Sequence, residues 1–95
     1  MSVLHTRWTV CDHVKHVVID RQAVLMNTKT ERYFGLDEIG TLIWEQLRES
    51  TSGIAIAEQL AHRYDVGADV VCADLERFLY ELHAQGLVVP SVARS

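Results

Sequence analysis

The chain has 95 residues, 48% of them apolar and 23% charged, which is enough for one hydrophobic core and too little for a separate catalytic domain. With 13 acidic and 9 basic residues the formal net charge is -4, a balance that repels nucleic acid and anionic membrane surfaces and favours a basic or neutral partner. The opening MSVLHTRWTV has no apolar run behind a basic segment, and no stretch is apolar enough to span a bilayer, so the expected compartment is cytoplasmic.

From Val3 to Asp20 the pattern is strand-like but irregular. Trp8 and Val10 alternate with polar neighbours, His13-Val14-Lys15-His16 interrupts, and Val17-Val18-Ile19 follows, which reads as one strand in two pieces. Asp20-Arg21-Gln22 has turn composition. Ala23–Met26 and Arg32–Leu36 are two further strand-like runs, joined by the polar loop Asn27-Thr28-Lys29-Thr30. Sequential antiparallel strands usually lie side by side, so Ala23–Asn27 is expected in the middle and Arg32–Leu36 at an edge.

The remainder reads as helical. Asp37 is a natural N-cap, and behind it Ile39, Leu42, Ile43 and Leu47 fall on one face to about Glu49, with Trp44 at its border. Ser50-Thr51-Ser52-Gly53 is a loop with capping residues, then Ile56, Ala57, Leu60, Ala61 and Tyr64 trace the stripe of a second helix closed by Asp65-Val66-Gly67. Asp69 is expected to cap a third helix whose apolar face is Val71, Leu75, Phe78, Leu79 and Leu82 and whose left-handed terminator is Gly86. Leu87-Val88-Val89 is too short for an element of its own, and Pro90 ends it before a polar tail. The expected fold class is α+β: a small winged-helix-like domain, a three-stranded antiparallel sheet followed by three helices on one face. One domain spans 1–95, with residues 1–12 and the tail 91–95 peripheral.

Few residues carry chemistry. Cys11, Asp12, His13 and His16 have metal-ligand side chains, but strand alternation sends His16 away from Cys11 and His13, which reads as an exposed strand end. Cys72 and His83 would lie about 16 Å apart along one helix and cannot act as nucleophile and base. Cys11 and Cys72 are expected as free thiols. No phosphate loop, nucleophile elbow, HExxH or paired-carboxylate motif is present, so no enzyme, metal or cofactor is expected. Three helices beside a hairpin also fit a winged helix-turn-helix that reads DNA. Its third helix would carry Asp69, Asp74, Glu76 and Glu81 against Arg77, the wrong sign to face phosphates.

The edge run remains. Arg32, Phe34 and Leu36 share one face of the strand; Glu31, Tyr33 and Gly35 share the other. One face must build the core, and Gly35 on the opposite face leaves room for a second backbone or a bulky side chain. An open edge of this kind accepts a peptide as an additional strand. A proline at Tyr33 or Phe34 is expected to remove an edge donor.

Tyr33-Phe34-Gly35-Leu36-Asp37, Ile39-Gly40, Ile43-Trp44 and Leu47 resemble a stretch of the PqqD-like family, with Asp37 where Asn is usual. Ala57 to Tyr64 and Asp74-Leu75-Phe78-Leu79-Leu82-Gly86-Leu87-Val88 resemble its later helices, so the similarity runs from about Val17 to Val89. The resemblance implies a non-catalytic recognition element that binds the leader of a ribosomally made precursor peptide. VLMNTKTERYFGLDEIGTLIW is most similar to the free-standing leader-binding proteins of lasso-peptide pathways, which present the precursor to a leader peptidase and a cyclase. The alternative within the family is presentation to a radical enzyme. Carried onto this chain, the resemblance implies a binding strand of Glu31, Arg32, Tyr33, Phe34 and Gly35 facing Val71, Asp74, Leu75 and Phe78. The same edge could pair two copies of the chain when no peptide is bound.

Overall fold

The computed structural model describes residues 6–49 and 52–90. The elements run β1 (Trp8–Val10), β2 (Val14–Ile19), β3 (Gln22–Asn27), β4 (Arg32–Gly35), α1 (Glu38–Arg48), α2 (Gly53–Tyr64), α3 (Ala68–Ala84) and β5 (Val88–Pro90). The α+β expectation is met by an antiparallel sheet in the order β2-β3-β4 followed by three helices. Ser50 and Thr51 of the expected loop, residues 1–5 and the tail 91–95 lie outside the described residues.

The two sheet hairpins turn by different devices. Between β2 and β3, Asp20 (φ 52°) and Arg21 (φ 65°) both take left-handed backbone, so a two-residue loop matches the twist of the paired strands. Between β3 and β4 the buried Asn27 organises the loop: its Oδ1 accepts from the backbone N–H groups of Lys29 (3.0 Å) and Thr30 (3.3 Å). Asn27 Nδ2 donates to the carbonyl of Gln85 at 2.9 Å, tying the hairpin tip to the end of α3. His13 Nε2 donates to the neighbouring Gly86 carbonyl at 2.9 Å. Gly86 takes φ +73°, the left-handed terminator anticipated from sequence.

Helix capping follows the sequence at two ends and departs from it at a third. Asp37 caps α1, accepting from Gly40 N–H at 2.7 Å, and Ser52 caps α2, accepting from Ala55 N–H at 3.4 Å. The N-cap of α3 is Gly67, with no side-chain hydrogen bond; Asp69 sits in the first turn, where its charge meets the positive end of the helix dipole.

Further expectations are corrected. Leu87-Val88-Val89 does contribute to an element: Val88–Pro90 pairs antiparallel with β1, Trp8 opposite Pro90 and Val10 opposite Val88, as a separate two-stranded sheet. Cys11 N–H donates to Leu87 O at 3.0 Å, so ladder alternation puts Trp8 and Pro90 in a non-bonded pair where proline lacks no donor. Trp8, within the stretch expected at the periphery, is 3% exposed and belongs to the core.

Another correction concerns the roll of α1. Its buried side is Gly40, Thr41, Ile43, Trp44 and Leu47, while Ile39, expected on that side, is 46% exposed. Trp44 is fully buried, packed edge-to-face with His16 at 6.4 Å, and fills the space between sheet and helices that the border position expected for it would leave empty. Thr41 turns inward because its Oγ1 accepts from the backbone N–H of Ala23 at 2.8 Å. Replacing Thr41 by Val orphans that buried donor and is expected to lower unfolding stability by about 1–3 kcal/mol, with Thr41→Ser close to wild type, read from urea midpoints.

Candidate functional site

The hydrogen-bond pattern of β4 defines what its edge offers. Among the described residues β4 pairs only with β3, in a register that places Leu25 opposite Phe34 and Met26 opposite Tyr33. Leu36 N–H donates to Ala23 O at 2.8 Å. In an antiparallel ladder bonded and non-bonded pairs alternate, so the backbone groups of Arg32, Phe34 and Leu36 point at β3. Those of Tyr33 and Gly35 point away from it, along the open edge. The edge therefore presents two N–H and two C=O groups, and the expectation that proline at Phe34 removes an edge donor is corrected: that donor belongs to the sheet's own ladder.

Side chains divide as alternation requires. Phe34 and Leu36 are half-buried against the core, while Tyr33 is 68% exposed on the outer face. Glu31 has left-handed backbone (φ 61°), its N–H donates to Asn27 O at 2.7 Å, and it ends the hairpin loop rather than continuing the strand. Arg32 is exposed.

Beside the edge lies a depression of about 280 Å³ between the end of β4, the first turn of α1 and α3, with Gly35, Leu36, Ile39, Gly40 and Phe78 in its lining. Phe78 closes its floor: a Cβ placed on Gly40 would lie 3.6 Å from Phe78 Cζ and 3.5 Å from Leu36 Cβ. Of the four α3 residues expected here, the structure brings only Phe78 into the lining. Val71 is half-buried against the core, and exposed Asp74, one turn before Phe78, is 3.6 Å from Arg77 Nη1. Leu75 is 1% exposed; the chain's own core covers it, and it has no surface to offer a guest.

Sequence reasoning missed Ile39 and Leu36 as lining residues. The available signal was Thr41, a polar residue on the helix side facing the sheet, whose burial rolls Ile39 outward.

The residues considered for metal or thiol chemistry are otherwise engaged. Among the described residues no three His, Cys, Asp or Glu side chains gather as a metal site. His13 bonds Gly86 and His16 packs on Trp44. Cys11 and Cys72 are free thiols, and burial pushes the Cys11 thiol above its ordinary pKa, the opposite of an activated nucleophile. No helix among the described residues is long and apolar enough to cross a membrane.

Comparison with known proteins gives a consistent picture. The model of the family described as coenzyme PQQ synthesis protein D (PqqD) matches residues 22–88. The structure of TbiB1 in complex with the TbiA(beta) leader peptide superposes with a TM-score of 0.83 at 32% identity, covering 90% of this chain and 99% of that one. Lasso peptide synthetase B1 complexed with its leader peptide superposes with a TM-score of 0.82 at 20% identity, covering 88% and 99%, a likeness of fold. No curated protein sequence matches the chain.

The Asp37 cap sets where α1 begins and hence the wall of the depression. Asp37→Ala is expected to cost about 1 kcal/mol and Asp37→Asn a few tenths at most, measured by thermal or urea unfolding.

Proposed function

Because the chain belongs to the PqqD family, we propose that it captures the leader segment of a ribosomally made precursor peptide by adding it as a strand to β4. The observation that carries this reading is the unpaired β4 edge, where the backbone groups of Tyr33 and Gly35 lie beside an apolar depression walled by Phe78. A peptide in extended conformation completes four main-chain hydrogen bonds there, and alternate side chains fall into the depression and onto the outer face. Capture needs no catalytic group, and the reading is of a non-enzymatic, cytoplasmic protein.

The likeness to TbiB1, which is seen with a leader peptide, supports a lasso-peptide pathway as the setting. In that setting the loaded protein hands its guest to a leader peptidase and a cyclase. Presentation to a radical enzyme is the alternative within the family. DNA reading is disfavoured by α3, which exposes Asp69, Asp74 and Glu81 on the helix a winged-helix reader would insert. Edge pairing between two copies through β4 uses the same donors and would compete with the guest.

Fluorescence polarisation with labelled leader segments tests the reading, the candidates being taken from short reading frames sought beside its gene. Tyr33→Pro removes an edge donor without touching the β3 ladder and is expected to abolish binding while circular dichroism stays native. Phe34→Pro breaks the bond to β3 and is expected to lose folded signal as well. Binding by the native protein should change little between 50 and 200 mM salt, where a DNA contact of several phosphates would lose about 10³-fold or more. Equal binding by Tyr33→Pro and the native protein would remove β4 as the docking strand.

A further inference from the structure

Gly35 is a glycine for which the fold gives no reason. Its φ is not in the left-handed region, and a Cβ built on it meets no atom within 4 Å. Gly86, by contrast, holds φ +73° with Asn27 Nδ2 only 3.2 Å from an added Cβ. A glycine inside a strand is less stable than alanine or a β-branched residue at the same position, so Gly35 is a local loss of strand stability that no contact among the described residues requires.

The register states what surrounds it. On the outer face of the sheet Val17 lies opposite Val24 and Val24 opposite Gly35; in the adjacent row Lys15 lies opposite Met26 and Met26 opposite Tyr33. The first row is apolar across β2 and β3 and then stops at a position without a side chain. Val17 is 53% and Tyr33 68% exposed, and Val17, Val24, Met26 and Tyr33 line a shallow outer depression of about 210 Å³. Within the described residues this apolar face carries no covering element, and its open end is at the strand edge where a guest would dock.

Resting on the strand-addition reading above, we propose that the gap at Gly35 receives one bulky apolar side chain of the guest strand, aromatic or branched aliphatic, on the outer face of the sheet. The backbone groups of Gly35 point to the open edge, so the guest residue opposite it forms a bonded pair with its side chain on the same face. Cross-strand neighbours on one face touch, and a large side chain opposite a glycine can lie over the glycine's backbone to reach the next strand. Here it meets Val24 across the gap and Tyr33 alongside, completing the row that Val17 and Val24 begin. The guest residues on either side of it turn to the helix face, one of them into the depression by Phe78. The guest is thus read on both faces of the extended sheet, and a peptide with a small or charged residue opposite Gly35 is rejected.

Selection of random linear peptides by mRNA display on the full chain and on its Gly35→Val variant tests the assignment. Gly35→Val should melt at or above the native temperature, which separates a binding effect from misfolding. The native protein should enrich peptides sharing one large apolar residue flanked by a differently constrained alternate position. Gly35→Val should bind those peptides about tenfold or more weakly and enrich peptides with a small residue there. Equal affinity of both proteins for the same peptides overturns the role of Gly35 and leaves strand addition standing. If the native protein enriches no peptide, strand addition itself falls, and this assignment with it.

Discussion

Everything at the site depends on how the backbone of Ala23 is shared. Its carbonyl accepts from Leu36 N–H, the last rung between β3 and β4, while its own N–H is taken by the hydroxyl of Thr41. In an uninterrupted ladder that N–H would bond the continuing strand. Because a side chain of α1 supplies the acceptor, β4 can stop at Gly35 and the chain can turn through Leu36 and Asp37 into a helix without leaving a buried donor unpaired. The same bond rolls α1 so that Thr41 and Trp44 face inward and Ile39 outward. Strand length, helix entry and the wall of the depression are therefore one decision.

A second constraint keeps α3 in place opposite the edge. The hairpin tip is tied to the end of α3 by Asn27 to Gln85, and His13 on the preceding segment bonds Gly86. These bonds join segments remote in sequence, and β5, which follows directly, pairs with β1. The edge of β4 and the Phe78 wall are thus parts of a frame closed at both ends of the chain. Pre-formation of that kind matters for a strand-adding site, because the guest pays its own ordering entropy and a mobile receptor would add to the cost.

What the sequence made legible was local. The β3–β4 hairpin, the Asp37 cap, the apolar stripe through Leu75, Leu79 and Leu82 and the Gly86 terminator follow from alternation, helical spacing and residues with narrow conformational preferences. What it hid was set by distant partners. Nothing near Val88-Val89-Pro90 announces that it pairs with β1, and proline reads as a stop unless its non-bonded register is known. The roll of α1 was misread because hydrophobic periodicity gives no weight to a threonine whose worth is a bond to another element's backbone. At the site, Leu75 and Phe78 share one face of α3, and periodicity cannot tell that the first is sealed in the core while the second reaches the depression.

An edge that accepts a guest strand, as proposed for β4, has to stay open and yet not pair at random, and the two outer strands of the sheet, β2 and β4, differ in how they would meet that requirement. β2 is the longer, with Lys15 on its outer face, a charge that opposes stacking of another sheet. β4 is four residues long and flanked by the left-handed Glu31 on one side and the capped helix on the other. Only two of its residues direct their backbone groups outward, so main-chain bonding alone offers few bonds of about 1 kcal/mol net each. That is too little to hold an arbitrary strand against the entropy of association. On the strand-addition proposal, affinity would therefore come from side chains seated on the two faces, in the depression by Phe78 and over Gly35, and a short edge would be a selective one: the backbone would supply alignment, and the apolar seats would decide which peptide remains.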